Sequence, residues 1–150
     1  MIRPLNLQDD QVALDILDIQ KFAYQIEAKR IGYPNLPPLL EWIDDIQQVH
    51  EHFYGFYAEE TLAGFISIEF DRNVMTICRL AVHPNFFRRG IAQKLLRYVL
   101  KNTSAKTCLV STAAKNKPAI KLYEKNGFIK HRTVSKDEQL SLIELVRRTR

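Results

Sequence analysis

The stretch Leu80-Ala-Val-His-Pro-Asn-Phe-Phe-Arg-Arg-Gly-Ile-Ala92 decides how this chain folds. Leu80–Val82 closes an apolar run that reads as a strand, and His83-Pro84 stops it, because proline lacks a donor and restricts the residue before it. Ile91, Leu95, Leu96 and Val99 then recur at helical spacing, so a helix starts near Gly90. A strand therefore runs through a short turn into a helix N-terminus, where free backbone N–H groups and the positive end of the helix dipole favour an anion. Arg88 and Arg89 add two guanidinium groups, and Gly90 lets backbone approach without a Cβ in the way. The turn fits neither GxxxxGK followed by Ser or Thr nor GxGxxG. Alone, it reads equally as an anion site and as a capped turn with solvated arginines.

The flanks supply the context. Upstream, Phe53–Ala58, Leu62–Phe70 and Val74–Val82 are separated by short polar turns and read as an antiparallel meander. Before them, a short strand near Ile2 leads into a helix that Asp9 or Asp10 can cap, with Val12, Ile16, Ile19 and Ala23 on one face. The proline-rich segment Gly32–Pro38 breaks that helix, and a second is expected around Leu40–Val49. Downstream, Thr107–Thr112 reads as a strand, which makes the helix after Gly90 a parallel crossover. Asn116 is a good N-cap for a helix over Lys117–Asn126, Gly127 suits the left-handed residue that ends it, and Phe128–Val134 and Leu140–Val146 form a closing hairpin. The expected class is α+β: a mixed sheet, antiparallel at its N-terminal side with one parallel pair, flanked by helices.

One hundred and fifty residues, 46% hydrophobic and 26% charged, fit one domain over 1–150 with its own core. No run approaches the roughly 18 apolar residues of a membrane span, and acidic residues near the N-terminus break up any signal-like stretch, so a cytoplasmic protein without membrane contact is expected. Cys78 and Cys108 lack a CxxC spacing, which fits a reducing compartment and no structural metal. Charge is unevenly placed. Residues 1–75 carry a net −8 and residues 76–150 a net +13, a division that fits separate sites for a cation and an anion better than nucleic-acid binding.

A second motif follows the first: Asn116-Lys-Pro-Ala-Ile-Lys-Leu-Tyr-Glu-Lys-Asn-Gly-Phe128. Together the two resemble the GNAT superfamily of N-acetyltransferases, whose pattern is L-x-V-x-P, then Q/R-x-x-G-x-G/A, then N-x-x-A-x-x-L-Y-x-x-x-G-F. Leu80, Val82, Pro84, Gly90, Ala92, Asn116, Ala119, Leu122, Tyr123, Gly127 and Phe128 match in order, over about Val74–Phe128. Phe87 stands where the family pattern has Gln or Arg.

The resemblance implies an acetyl-coenzyme A site between splayed parallel strands, bound by Leu80, Ala81, Val82, Arg88, Arg89, Gly90, Ile91, Ala92, Gln93, Asn116 and Tyr123, with pantetheine against the strand ending at Val82. It also implies Val82 N–H as an oxyanion donor and Tyr123 as the acid that protonates the leaving thiolate. The polyanionic co-substrate suits the basic half, which contains both the loop and Lys115, Lys117 and Lys121 beside it. Tyr24, Glu27, Tyr33 and Trp42 lie among the acids of the N-terminal half and are expected to bind an amine, one favoured to be cationic. Trp42 can equally pack the second helix. Family members often carry a carboxylate on the strand before the loop, but Cys78 and Arg79 stand there, so the base is open among Glu27, Glu41, Asp44 and Glu69. His50-Glu-His52 lacks a third ligand, and both thiols read as packed core groups, so no metal and no acyl-enzyme are expected.

The expected activity is direct transfer of an acetyl group to an amine of a small molecule or peptide. The rival is a non-catalytic domain that senses acyl-coenzyme A or binds a partner. A homodimer is left open by the pattern.

Overall fold

The computed structural model describes residues 1–149. Strand β1 (Ile2–Pro4) precedes helix α1 (Asp10–Ile31), a 3-10 turn (Pro37–Leu40) and the short helix α2 (Ile43–Gln48). Strands β2 (His52–Ala58), β3 (Thr61–Asp71) and β4 (Val74–Val82) follow, then α3 (Ile91–Lys101), β5 (Thr107–Ala113), α4 (Lys117–Lys125), β6 (Ile129–Ser135) and β7 (Ser141–Arg148). One seven-stranded sheet has the order β1-β2-β3-β4-β5-β7-β6, antiparallel throughout except for β4 beside β5. This is the mixed sheet read from the sequence.

Strand β3 is the centre, buried on both faces from Leu62 to Ile68. On one face Ile66, Ile68, Met75 and Ile77 pack against Ile91, Leu95, Leu96 and Val99 of α3, with Tyr123 and Phe128 beyond. On the other, Phe53, Leu62, Phe65 and Ala81 pack against Ala13, Ile16 and Ile19 of α1 and Ile46 of α2. Asp9 caps α1 by accepting Gln11 N–H, and Gly32, at φ 73°, ends it.

Two expectations shift. The second helix does not run from Leu40. Pro37 and Pro38 fix a 3-10 turn that ends at Leu40, and α2 begins only at Ile43, where Asp45 accepts the Trp42 N–H at 2.8 Å. The inward face of α1 also differs from the purely apolar Val12, Ile16, Ile19, Ala23 stripe, since Val12 and Ala23 are only half-buried while Ala13 and the polar Gln20 are buried.

Gln20 is fully buried because it belongs to a polar hub on this face. Arg79 of β4 donates to Gln20 Oε1 (2.8 Å), to both oxygens of Glu41 (2.6 and 3.1 Å) and to both oxygens of Glu51 (2.9 and 3.2 Å). Ser67 of β3 adds a 2.7 Å hydrogen bond to Glu51. Burial alone would lower the Arg79 pKa, but the hydrogen bonds and charges of Glu51 and Glu41 outweigh it and hold the group above its usual value. The hub ties the segment around residues 37–51 to the middle of the sheet.

Removing one member of a buried ion pair strands its partners, at a cost of about 3–5 kcal/mol. Arg79→Ala is therefore expected to lose about 3–5 kcal/mol in urea unfolding. A loss under about 1 kcal/mol would show that the hub does not hold the fold.

Candidate active site

Strand β4 follows two partners that demand different paths. Against β3 it pairs to its end, Val82 opposite Gly64. The register jumps from Ile68↔Ile77 to Ser67↔Arg79, so Cys78 is an extra residue, a β-bulge. Against β5 the parallel pairing stops at Ile77↔Val110, the residue before the bulge. A bulge bends its strand and increases local twist, and here the two parallel strands part from that point.

The parting leaves one edge of β4 without a strand. His83 N–H donates to Ala63 O on β3 at 2.8 Å. Since successive N–H groups along a strand point to opposite edges, those of Val82 and Leu80 face away from β3, toward the gap. Gly64 keeps this segment close, because a Cβ there would meet Ala81 O at 2.9 Å.

A cavity of about 180 Å³ opens in the gap. Leu80 from β4, Thr112 and Ala113 from β5, Tyr24 and Glu27 from α1, and Tyr123 from α4 line it. Tyr24 and Glu27 reach it because Gln20, Tyr24, Glu27 and Ile31 follow one another at helical spacing along α1. Asn116 joins the two helices: Oδ1 accepts the Ala119 N–H as the α4 cap, and Nδ2 donates to Glu27 Oε1 at 2.6 Å.

This environment acts on the protons of all three titratable groups. Burial raises the Glu27 carboxyl above its usual range, with the Asn116 hydrogen bond and Arg30 pulling it partly back. Burial raises the Tyr123 hydroxyl, and the neighbouring Tyr24 and Glu27 add to the effect. Tyr24 is raised by burial and by Glu27, against Arg79 and the Leu80 backbone. Both tyrosines thus stay protonated through neutral pH.

Beyond the strand end, a 3-10 turn (Pro84–Phe86) leads to α3. Arg88 and Gly90 are both left-handed, at φ 65° and 72°, and a Cβ on Gly90 would meet nothing within 4 Å. Among the described residues, the N–H groups of Arg88 through Gln93 donate to no protein acceptor. Six free donors at a helix start, beside two exposed arginines, form a cradle whose chemistry suits an anion.

The site residues read from the sequence therefore fall into groups. Tyr24, Glu27, Leu80 and Tyr123 share the cavity, and Asn116 holds Glu27. Arg88 through Gln93 form the cradle, although the Gln93 side chain is engaged in a reciprocal amide pair with Asn126 at 2.8 Å. Ala81 is buried toward α1. Tyr33 donates to Asp137 Oδ2 at 2.8 Å, tying the end of α1 to the β6–β7 turn. Trp42 is 77% exposed and lines a separate groove of about 1090 Å³ along the outside of α1. Cys78 is not the packed core thiol expected: the bulge leaves it exposed, while partial desolvation, Glu51 and Glu69 push its pKa up to about 12. The Arg79 hub went unread, because a lone arginine in a strand carries no spacing signal for the acids that meet it.

A family model described as "Acetyltransferase (GNAT) family" matches residues 14–128. The chain belongs to the GNAT acetyltransferase family. UPF0157 protein YqkA from Bacillus subtilis (strain 168) is 41% identical over 143 residues, 95% of this chain, and the chain spans only 42% of that protein's length. Among solved structures, the ribosomal-protein-S18-alanine N-acetyltransferase of Escherichia coli superposes with a TM-score of 0.77 at 19% identity, covering 99% of this chain and 92% of that one. The PaiA N-acetyltransferase of Thermoplasma acidophilum, solved in complex with coenzyme A, superposes with a TM-score of 0.73 at 19% identity, covering 99% and 98%. These two likenesses bear on the GNAT fold alone. Among the described residues, no helix is long and apolar enough to cross a membrane.

Asn116→Ala removes both a helix cap and the donor that steadies the Glu27 carboxylate. It is expected to cost about 1 kcal/mol of stability. It is also expected to move the Glu27 pKa further up, because the lost hydrogen bond favours the ionised form. A carboxyl-carbon NMR titration reads the shift, and an unchanged or lowered pKa would show that Asn116 does not stabilise the charge.

Proposed function

We propose that this GNAT domain is an N-acetyltransferase that moves an acetyl group from acetyl-coenzyme A to an amine of a small molecule or peptide by direct attack. The observation that carries the reading is the coincidence of an unpaired β4 edge, a proton-bearing cavity and an anion cradle along one line from Leu80 to Gln93.

These features fit an extended polyanionic thioester. The free N–H groups of Arg88–Gln93 would hold the pyrophosphate, as the solvated Arg88 and Arg89 neutralise its charge. The open edge of β4 would receive the amide-bearing pantetheine arm. Phe87, which is 42% exposed, replaces a polar side chain of the family pattern, so phosphate binding would rest mainly on backbone.

Bound acetyl-coenzyme A supplies the electrophilic thioester carbonyl. Val82 N–H, which faces the gap, would stabilise the developing oxyanion, a contribution typically of about 2.7–4 kcal/mol. Tyr123, kept neutral by its surroundings, donates a proton to the departing sulfur. An acyl-enzyme is disfavoured, because partial desolvation and the nearby Glu51 and Glu69 keep the Cys78 thiol protonated.

The acceptor is an amine that is cationic in water. Of the acids of the N-terminal half, Glu41 and Glu51 are neutralised by Arg79 and Asp45 caps α2, while Glu27 faces the cavity. A domain that only senses acyl-coenzyme A would share the cradle and differ in turnover.

Acetyl-coenzyme A at ~100 times its Kd is expected to stabilise the fold by about 2.7 kcal/mol. Gly90→Val, strained by about 1–2 kcal/mol at its positive φ, should stay folded and lose that response. An undiminished response would place the co-substrate elsewhere. Tyr123→Phe should bind acetyl-coenzyme A normally and lose at least ~10-fold in kcat. Equal kcat, with chemistry shown to limit the rate, would leave Tyr123 a packing residue.

A further inference from the structure

An alkylammonium acceptor has no lone pair, so acetyl transfer needs a group that removes a proton near the thioester. The carboxylates read as candidates separate clearly in the structure. Both oxygens of Glu41 accept from Arg79, as do both oxygens of Glu51. Asp44 on α2 and Glu69 on β3 do not line the cavity, and the Cys78 thiol is held protonated. Glu27 alone of these acids lines it with an oxygen to spare. Its Oε1 accepts from Asn116, and its Oε2 takes no hydrogen bond from the protein among the described residues.

The setting of Glu27 is also fixed. Asn116 cannot turn without giving up the α4 cap, and Tyr123 lies seven residues further along, two turns of the same helix. One side chain thus ties the Glu27 carboxylate on α1 to the start of α4, the helix that carries Tyr123.

From this geometry we infer that Glu27 is the general base of the acetyl transfer, its free oxygen taking the proton of the acceptor ammonium as the nitrogen approaches the thioester. The inference rests on the acetyl-transfer reading. The ammonium gives one proton to Glu27, which passes it to water. The freed lone pair forms the C–N bond. As the C–S bond breaks, its electron pair leaves on sulfur, which takes the Tyr123 proton, and the nitrogen's second proton restores Tyr123. Each turnover yields amide, thiol and one proton.

Below its pKa, Glu27 is protonated and cannot act, so activity rises with pH through that pKa. Burial raises that pKa while the Asn116 hydrogen bond and Arg30 lower it; the other titratable and charged groups around the cavity are Tyr24 on α1, Cys78 and Arg79 on β4, and Tyr123 on α4. Burial makes the largest contribution and moves the limb above the ordinary glutamate range.

The test is the pH profile of kcat/KM from pH 5 to 10 for a primary alkylamine at saturating acetyl-coenzyme A, in wild type, Glu27→Gln and Glu27→Asp. Glutamine keeps the acceptor that Asn116 needs. At pH 7, Glu27→Gln is expected to lose about 10²–10⁴-fold while its acetyl-coenzyme A stabilisation is unchanged. Its carboxylate limb should vanish, and its rate should climb with pH toward the amine's own pKa of about 10, where solvent has already removed the proton. Glu27→Asp should retain a carboxylate limb at reduced rate. A merely structural role would scale the whole profile down without changing its shape, and that result, or a loss under about 3-fold, overturns the assignment. Wild type that acetylates no amine overturns the acetyl-transfer reading and the base with it. Active wild type beside an indifferent Glu27→Gln overturns the base alone.

Discussion

The extra residue at Cys78 is the constraint on which the site depends. Strand β4 must stay in register with β3 as far as Val82, yet its parallel ladder with β5 ends at Ile77. A bulge reconciles the two by bending β4 where it leaves β5. Buried backbone donors without partners are costly, at roughly 1–3 kcal/mol each. The Leu80 backbone works on the Tyr24 hydroxyl, while Val82 N–H faces the gap. The strand edge therefore holds unspent hydrogen-bonding capacity where a co-substrate with amide groups would lie.

Opening a sheet in its middle requires something to hold the halves. Arg79, next to the bulge, ties β4 to α1 through Gln20, to the 3-10 segment through Glu41 and to the approach of β2 through Glu51. Its side chain is 10% exposed, and desolvating it costs several kcal/mol that only multiple ionic hydrogen bonds can offset. On the other side, Asn116 spans from α4 to α1. The hub also bears on the charge division: part of the acidity of the N-terminal half neutralises one arginine of the basic half, while among the described residues the Lys and Arg of α3 and α4 form no salt bridge.

The fold was legible in the sequence where physics is local. Helix α3 shows its Ile91, Leu95, Leu96, Val99 face and starts after Gly90, Asn116 marks a cap, and Gly127 marks a positive φ; all lie where the pattern places them. The turn residues of the meander likewise separate β2, β3 and β4. Long-range features were not legible. The inward stripe of α1 changes from Ala13 and Ile16 to Gln20, Tyr24 and Glu27, so hydrophobic periodicity fades where the helix reaches the site. The Pro37-Pro38 turn shortens α2, and a bulge has no composition signature. The partners of Arg79 lie 28, 38 and 59 residues away in sequence, beyond any spacing rule.

In the proposed reading, the parted strands and the turn before α3 form one continuous acyl-coenzyme A site. Native-state amide hydrogen exchange with and without acetyl-coenzyme A tests it directly, because the donors it assigns are specific backbone groups. New protection is expected at Val82 and across Arg88–Gln93, with the amides of β1 and β2 unchanged. Protection confined to other segments, or none at Val82 and the turn under saturating co-substrate, would contradict it.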